Sequence, residues 1–362
     1  MTTTPTWPKD LVRWFERDHR PMPWRSDPSP YKVWVSEIML QQTQVVTVIP
    51  YFDRFVLRFP SFAALAAADP QDILKLWEGL GYYSRARNLQ QAARIITTRH
   101  GGTPPHTAAA LLEFPGIGPY TAAAIASIAF GEPVPTVDGN VLRVFSRFWG
   151  LANPLRDKTL ADTIRCRLAP LIRTVNPSHF NQAMMETGAL VCRPRNPDCA
   201  ACLLARHCKA FNTNRTGELP VTTRAVAGPH HAVVAAVIMR RGRLLIACRH
   251  EKGMLGGLWE FPGGRPRLGE PPARAIRRLI REETGLTVTA DAPYRPVKHA
   301  YSHFRITLTA FPCVARAGRA RTGSAASVKW IRPAELPLYP MSRAMRRIAD
   351  AILTSPTGAG RG

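Results

Sequence analysis

The stretch Leu112-Glu-Phe-Pro-Gly-Ile-Gly-Pro-Tyr-Thr121 places two glycines and two prolines between two segments of helical character. At Gly116 and Gly118 the missing side chain lets the backbone approach a ligand closely. The helix that follows begins with N–H groups that have no partner inside the helix, and such a helix start attracts an anion. The stretch therefore predicts contact with a phosphate, as in a DNA backbone. A glycine turn between helices is common, so the function depends on the surrounding motifs.

Helical periodicity extends on both sides of this turn, from the N-terminus to about residue 212. Apolar residues recur at helical spacing, and glycine or proline separates most segments. The predicted helices are 10–19, 31–48, 71–78, 84–100, 107–113, 120–130, 140–149, 158–172 and 180–191. These segments predict an all-α domain over residues 1–212.

The pattern changes after a polar segment, 213–228, that is typical of a linker. Segments rich in Val, Ile and aromatic residues predict strands at 231–239, 243–247, 303–311 and 328–331. Helical segments at 270–284 and 342–353 accompany them. Residues 229–352 are therefore predicted to form an α+β domain, and residues 353–362 a disordered tail.

Composition limits the function classes. The chain has 362 residues, 45% of them hydrophobic, which favours two globular domains. Its net charge of +24 points to a polyanionic partner, of which nucleic acid is the commonest. The run 122–130 is too short to span a bilayer, and the first ten residues lack the apolar core of a signal peptide. Membrane, secreted and disulfide-scaffold classes are disfavoured, and a cytoplasmic, nucleoid-associated protein is expected.

Four of the seven cysteines are clustered. Cys192, Cys199, Cys202 and Cys208 are separated by six, two and five residues. An odd total and the absence of a signal peptide argue against a disulfide framework. Zinc favours two close pairs, and only Cys199 and Cys202 form one. An iron–sulfur cluster tolerates uneven spacing. Spacing alone leaves an iron–sulfur cluster, a zinc site and a coincidental cysteine-rich loop open.

Asp138 lies in Val137-Asp-Gly-Asn140, just before an apolar helix, where an N-cap is the simplest interpretation. The wider arrangement favours another one. A helical hairpin, an aspartate and four cysteines in this order resemble the helix-hairpin-helix DNA glycosylases with an iron–sulfur cluster. Further motifs resemble the MutY family of adenine DNA glycosylases: Pro23-Trp24-Arg25, Ser36-Glu37-Ile38-Met39-Leu40-Gln41-Gln42-Thr43-Gln44-Val45, Gly79-Leu80-Gly81-Tyr82-Tyr83-Ser84-Arg85-Ala86-Arg87 and Phe180-Asn181-Gln182. The resemblance implies a 4Fe–4S cluster held by the four clustered cysteines.

The resemblance also implies catalytic roles. Glu37 would protonate N7 of adenine, and its apolar neighbours predict burial that raises its pKa. Asp138 would stay ionised and stabilise the sugar cation, following the two-carboxylate logic of glycoside hydrolysis. Tyr120 and Asn140 would assist, by stabilising the cation and orienting Asp138 and the incoming water. In the related endonuclease III family the residue at position 120 is a lysine that forms a Schiff base. Tyr120 has no amine, so a monofunctional glycosylase that leaves an abasic site is predicted.

An adenine inside a duplex must be flipped out before its glycosidic bond can be reached. The resemblance assigns Gln42 and Tyr82 as wedge residues and places Thr43 against the base opposite the adenine. The adenine pocket would be lined by Trp24, Arg25 and Gln182.

The second half resembles a Nudix box: Gly264, Glu270 and Arg278 are followed by Glu282 and Glu283. It departs from the pattern at Leu279, where a metal-binding glutamate is expected. In the MutY family a MutT-like, Nudix-fold domain reads the lesion instead of hydrolysing nucleotides. Lys298-His-Ala-Tyr301-Ser302-His303-Phe304 is similar to that family's loop for 8-oxoguanine. Ser302 would hydrogen-bond the oxidised face, and Tyr301 and His303 would shape the loop.

The sequence therefore predicts a monomeric adenine DNA glycosylase of base excision repair. Its expected partner is double-stranded DNA with adenine opposite 8-oxoguanine or guanine, and no motif identifies a protein partner. Three alternatives stay open. They are a glycosylase/lyase acting on oxidised pyrimidines, a nucleotide pyrophosphatase in the second half, and a non-catalytic redox-responsive DNA-binding protein.

Overall fold

The computed structural model describes residues 5–222 and 228–354. The part up to residue 222 is helical, as predicted. Its helices are α1 (Trp7–Asp18), α2 (Pro23–Ser26), α3 (Pro30–Leu40), α4 (Val45–Arg58), α5 (Phe62–Ala67), α6 (Pro70–Leu76), α7 (Ser84–Arg99), α8 (Ala108–Leu111), α9 (Pro119–Phe130), α10 (Gly139–Trp149), α11 (Lys158–Ile172), α12 (Pro177–Leu190) and α13 (Lys209–Asn212). No helix in the described residues is both long and apolar enough to cross a membrane.

One predicted helix is interrupted. The periodicity of residues 31–48 predicts a continuous helix, but α3 ends at Leu40 and α4 begins at Val45. Gln41 has a non-helical backbone, and Gln42 has φ +56°, in the left-handed region that a non-glycine residue rarely adopts. The sequence carries no glycine or proline at this break, so the apolar pattern alone did not show it.

The residues from 228 onward form a mixed sheet with two helices. The strands are β1 (His230–Arg240), β2 (Arg243–Cys248), β3 (Trp259–Glu260), β4 (Gly263–Gly264), β5 (Thr287–Ala290), β6 (Val297–Ala300), β7 (Arg305–Ala317) and β8 (Ser327–Ile331), and the helices are α14 (Pro272–Thr284) and α15 (Arg343–Thr354). β1 pairs in parallel with β7 and antiparallel with β2. The α+β prediction is therefore confirmed.

Strand periodicity distributes the apolar side chains of β1 between two cores. Val234, Ala236 and Ile238 pack with residues of α14, whereas Ala235 and Val237 pack with residues of α15. Successive side chains of a strand point to opposite faces, so the sheet lies between the two helices.

Contacts divide the chain into two units whose boundaries differ from those in the sequence analysis. Residues 68–87 pack with the unit that contains the sheet, although the predicted boundary places them in the helical domain. Gln71 Nε2 donates to the Gly257 carbonyl at 3.0 Å, and Arg346 Nε donates to Glu78 at 2.7 Å. Helical periodicity shows that a segment buries one face, but it does not show which core receives that face.

The predicted linker and tail are covered only in part. Within the predicted linker 213–228, the described residues 213–222 pack with the helical unit, and the Leu155 N–H donates to the Val221 carbonyl at 3.0 Å. Residues 223–227 lie outside the described part. The predicted tail 353–362 begins inside α15, which ends at Thr354, and residues 355–362 are also outside the described part.

The helical hairpin forms as the sequence predicts. α8 and α9 flank the Pro-Gly-Ile-Gly turn, and Gly118 is the N-cap of α9. Gly116 has φ +79°, and a Cβ there would lie 2.8 Å from Nδ2 of Asn88, so only glycine fits without a shift. A Cβ at Gly118 would meet no atom within 4 Å. The space at Gly118 is thus open to a ligand.

Candidate active site

Two carboxylates, one of them buried, line one cavity of about 700 Å³ in the helical unit. Glu37 comes from the last part of α3, and Asp138 precedes the first turn of α10. Tyr120, at the start of α9, and Asn140, in α10, line the same cavity. The structure therefore brings together all four residues that the sequence analysis selected as catalytic.

Glu37 is held in a form that can carry a proton near neutral pH. Its side chain is buried, and the Tyr120 hydroxyl donates to Glu37 Oε2 at 3.0 Å. Burial, reinforced by the charge of Asp138, raises the pKa of Glu37 to about 7, against the lowering effects of the Tyr120 hydrogen bond and of Arg25. The raised pKa that the apolar neighbours predict is confirmed. Such a carboxyl can act as a general acid.

Asp138 accepts hydrogen bonds at both carboxylate oxygens. The Val141 N–H donates to Oδ1 at 2.8 Å, which makes Asp138 the N-cap of α10, and Asn140 Nδ2 donates to Oδ2 at 2.9 Å. Burial raises the pKa of Asp138, while these hydrogen bonds and the nearby Arg143 oppose that rise. The N-cap interpretation and the catalytic one are compatible, because the cap fixes the carboxylate at the cavity wall.

Arg143 was not selected from the sequence, although it lies one helical turn after Asn140. Its Nη2 donates to Asn140 Oδ1 and to the Gly188 carbonyl, both at 2.8 Å, and its Nε donates to the Cys192 carbonyl at 2.8 Å. A Cβ at Gly188 would lie 2.6 Å from Cβ of Asn140, so glycine is required for this packing. Asn140 thus contacts Arg143, Gly188 and Asp138. These contacts fix the side chain that donates to Asp138.

The predicted base-pocket residues lie at the same cavity. Trp24 is buried against Phe52, with ring centroids 5.2 Å apart. Arg25 Nε donates to Gln182 Oε1 at 2.9 Å. Trp24, Arg25 and Gln182 all line the cavity.

Glu186, which was not selected from the sequence, also lines this cavity and is almost completely buried. Arg20 Nε donates to Glu186 Oε1 at 2.7 Å, and Arg25 Nη2 lies 3.2 Å from Oε2. Burial raises the pKa of Glu186, but hydrogen bonds and charge from the two arginines outweigh it and lower the pKa to about 2. Gln182 and Glu186 are four residues apart on α12 and share a helix face, a signal that could have identified Glu186.

The turn between α3 and α4 contacts the helical hairpin. Gln41 Nε2 donates to Thr121 Oγ1 at 3.0 Å and to the Gly116 carbonyl at 3.4 Å. Thr43 lines the cavity, whereas Gln42 does not and carries the positive φ noted above. Strained backbone of this kind is concentrated at functional sites, which agrees with the predicted DNA contact of Gln42.

The four clustered cysteines line one small cavity beside α10. Arg147, which is buried, has its Nη1 3.3 Å from Cys192 Sγ. Burial raises the pKa of Cys202 to about 11, and the charges of the other three thiols contribute. No group of three or more His, Cys, Asp or Glu side chains in the described ranges is arranged to hold a single metal ion.

The predicted lesion-reading loop lies at a second cavity, of about 410 Å³, within the sheet-containing unit. Tyr301, Ser302 and His303 line it together with Tyr82. The hydroxyl groups of Tyr82 and Ser302 form a hydrogen bond, and Tyr82 has φ +47°. Two residues that the sequence analysis assigned to separate tasks, wedge and lesion recognition, are therefore in contact.

Two further residues at this cavity were missed by the sequence analysis. Met254 and Leu255 come from the segment between β2 and β3, Met254 is half exposed, and Leu255 has φ +60°. They give this cavity an apolar side. Their sequence signal was the glycine-rich stretch Leu255-Gly-Gly-Leu-Trp-Glu-Phe-Pro-Gly-Gly264, which Leu255 begins and Met254 precedes.

Two of the three Nudix-like acidic residues, Glu270 and Glu282, are paired with arginine. Arg278 donates to both oxygens of Glu270, at 2.8 and 2.6 Å, and to Glu282 at 2.8 Å. The Arg278 hydrogen bond lowers the pKa of Glu270 to about 2. Leu279, on the buried face of α14, packs against the sheet. These carboxylates already have cationic partners, and the position of the missing glutamate is filled by an apolar side chain.

Comparison with known proteins agrees with this architecture. Residues 35–166 match the family model of the HhH-GPD superfamily base excision DNA repair proteins, and residues 233–351 match that of the NUDIX domain. A solved structure of a thermostable thymine-DNA glycosylase superposes with a TM-score of 0.52 at 26% identity, covering 57% of this chain and 96% of that chain.

Curated relatives match both halves. The adenine DNA glycosylase of Mus musculus is 39% identical over 295 residues, which are 78% of this chain and 54% of the mouse protein. The adenine DNA glycosylase of Buchnera aphidicola subsp. Schizaphis graminum (strain Sg) is 33% identical over 304 residues, which are 82% of this chain and 84% of that protein. The chain therefore belongs to the adenine DNA glycosylase family and is a DNA N-glycosylase with a helix-hairpin-helix domain followed by a Nudix-type domain.

Proposed function

We propose that this protein removes adenine paired with 8-oxoguanine, and less efficiently with guanine, by hydrolysing the N-glycosidic bond. The observation that carries the proposal is the pair of carboxyl groups at one cavity. Glu37 has a pKa near 7, while Asp138 is bound by a helix N-terminus and by Asn140. Two carboxyl groups with different environments are what an acid-assisted glycosidic cleavage requires.

Glu37 supplies the proton. In its neutral form the carboxyl donates to N7 of the adenine, so the base leaves without a full negative charge. The Tyr120 hydroxyl orients Glu37 through its hydrogen bond to Oε2.

Asp138 stabilises the oxocarbenium-like sugar that develops as the bond breaks. Its negative charge is fixed before the reaction begins, because the Val141 N–H and Asn140 already hold both oxygens. Asn140, held by Arg143, also orients the attacking water.

The adenine reaches this cavity only when it is flipped out of the duplex. Trp24, Arg25 and Gln182 form the pocket, and Glu186 holds Arg25 in place. Gln42 and Tyr82 fill or buckle the base stack, and Thr43 contacts the opposite base. The open space at Gly118 and the free N–H groups of α9 bind a DNA phosphate.

Strand cleavage distinguishes this proposal from a glycosylase/lyase. Position 120 is tyrosine, and no lysine is among the described residues that line the cavity. We expect single-turnover reactions on duplex with adenine opposite 8-oxoguanine to show strand breaks only after alkali treatment. Borohydride should trap no covalent complex, because no amine is available to form a Schiff base. Breaks without alkali, together with a trapped complex, would replace this proposal with the lyase mechanism.

Ser302 reads the oxidised base through its hydroxyl, and Tyr301 and His303 shape the loop. The Ser302 hydroxyl already bonds Tyr82, so it is presented at the cavity where an opposite base could replace that partner. We expect Ser302→Ala combined with His303→Ala to erode the preference for 8-oxoguanine over guanine opposite adenine. The ratio of single-turnover rates on the two duplexes measures this preference. Thr309→Ala, on β7 and outside this cavity, serves as the control. An unchanged ratio would reject the role of this loop.

A 4Fe–4S cluster held by Cys192, Cys199, Cys202 and Cys208 accounts for the cysteine-lined cavity. The uneven spacing of the four cysteines favours a cluster over zinc, which prefers two close pairs of ligands. When bound, the cluster would cross-link the segment 192–208, which carries the four cysteines. We expect purified protein to contain about four irons and four sulfides per chain. Cys199→Ser should lower both together, whereas Cys166→Ser, at an exposed thiol outside the cavity, should lower neither. Stoichiometric zinc instead of iron would contradict the assignment.

A further inference from the structure

A second basic feature lies on the sheet, next to the proposed lesion-reading loop. An open groove of about 530 Å³ is lined by His230 of β1, Lys298 of β6, and Arg305 and Thr307 of β7. We call these four residues the basic groove. All four belong to the sheet-containing unit.

Strand register places the four side chains of the basic groove on one face. Lys298 is the cross-strand partner of Thr307, and His230 is the partner of Arg305. Positions directly opposite each other share a face, and Arg305 and Thr307 are two residues apart, so their side chains also point the same way. His230 Nε2 lies 3.0 Å from Thr307 Oγ1. The groove therefore combines the cations Lys298 and Arg305 with two further hydrogen-bonding side chains on rigid strands.

The surroundings of the basic groove strengthen its positive potential. No acidic side chain is among the described residues that line it. Burial of His299 of β6, together with the charges of Arg347 and Arg343 of α15, lowers the pKa of His299. Arg347 also approaches the Lys298 carbonyl, with Nη1 at 3.5 Å. A groove with one sign of charge and polar donors fits an anion.

The position of the groove favours nucleic acid over other anions. Lys298 lies three residues before Tyr301, and Arg305 lies two residues after His303, so the two cations flank the loop at both ends. A base read by that loop has its own phosphates within one nucleotide on either side. Lysine, arginine, threonine and histidine donors are the groups that fix DNA register through phosphate contacts.

We propose that the basic groove binds phosphates of the DNA strand that carries the base opposite the excised adenine. This inference rests on the proposed function for the identity of that strand. The contact is independent of sequence and holds the strand while the loop samples the base.

The test is the salt dependence of DNA binding by Lys298→Ala/Arg305→Ala. Both side chains are exposed, so the variant should keep its fold and melting temperature. Each lost phosphate contact reduces the slope of log K against log salt by about 0.9, so we expect a reduction of one to two units on undamaged duplex and on duplex with adenine opposite 8-oxoguanine.

The matched control is Arg316→Ala/Arg319→Ala, which removes the same charge near the far end of β7. Arg316 lies nine residues after Thr307 on β7, roughly 30 Å along the strand direction, and Arg319 follows the end of the strand. The control should keep the original slope. An equal loss in the control, or an unchanged slope in the groove variant, would overturn the inference. A polyglutamate peptide could instead displace duplex from the unaltered protein but not from the Lys298→Ala/Arg305→Ala variant. If the salt slope of that variant were also unchanged, the groove would be assigned to an acidic protein and the inference would be overturned.

The experiment separates the two proposals. A reduced slope in protein that releases no adenine supports the groove and rejects the proposed function. Normal, lesion-selective excision with an unchanged slope supports the proposed function and rejects the groove.

Discussion

Glu37→Gln is expected to lower the single-turnover rate of adenine excision by at least about 100-fold, the range that general acid catalysis supplies. Glutamine keeps the size of the side chain and can still accept from the Tyr120 hydroxyl, so the cavity stays intact. It cannot give up a proton to the leaving base. Duplex affinity should be nearly unchanged, because Glu37 is buried at the reacting centre and away from the solvent-exposed surface.

The pH profile gives a second readout for Glu37. Its pKa of about 7 means that the protonated acid is lost as the pH rises through neutrality. The excision rate of the unaltered protein should therefore fall above about pH 7, and the residual rate of Glu37→Gln should lack this limb.

The free energy of unfolding of Glu37→Gln distinguishes a loss of catalysis from a loss of folded protein. The pKa of Glu37 rises from 4.5 in the unfolded chain to about 7 in the folded one, so the folded state binds more protons between these values. The free energy of unfolding therefore decreases as the pH rises from about 4.5 to 7 and stays lower above that. Removing the carboxyl should therefore raise the free energy of unfolding at pH 8, where the buried group of the unaltered protein is ionised.

Glu132→Gln is the matched control for Glu37→Gln. Glu132 accepts from the Ala108 N–H at 2.6 Å and does not line the active-site cavity. It should excise adenine at the normal rate. If Glu37→Gln also turned over at a near-normal rate, Glu37 would not be the general acid.

The burial of Glu37 could be predicted because its neighbours in the same helix are apolar: Val33, Val35, Ile38 and Met39. Burial among apolar side chains raises the pKa of a carboxyl, so the raised pKa could be predicted as well. The proximity of Glu37, Asp138 and Tyr120 could not be derived from sequence spacing. Glu37 is in α3, Tyr120 is in α9, and Asp138 is the N-cap of α10. Only the family resemblance joined them.

Other features were missed for identifiable reasons. Glu186 and Arg143 act through hydrogen bonds to residues already selected, Arg25 and Asn140, so their importance appears only once those contacts are formed. Residues 68–87 were assigned to the helical domain because they lie between its helices in the sequence. In the structure they pack with the unit that contains the sheet. Strand periodicity located β1, β2, β7 and β8, but strands of two to four residues such as β3 and β6 are too short for a period to be recognised.

Asp138→Asn is expected to lower the excision rate by about 100- to 1,000-fold, comparable to the loss of a preorganised group facing charge in the transition state. Asparagine is also a good N-cap, so its Oδ1 can keep the bond from the Val141 N–H and α10 should remain capped. The variant loses the negative charge that faces the sugar cation. Duplex binding should survive, as measured with a substrate analogue that resists cleavage.

A capped helix alone cannot explain such a loss, and Asp157→Asn tests this directly. Asp157 is the N-cap of α11, where it accepts from the Thr159 N–H at 2.9 Å, and it does not line the active-site cavity. The two substitutions make the same chemical change at the same helix position, and only Asp138 faces the active-site cavity. A normal rate for Asp157→Asn with a large loss for Asp138→Asn assigns the effect to charge at the cavity. Near-normal turnover by Asp138→Asn would leave Asp138 as a structural cap and remove it from the mechanism.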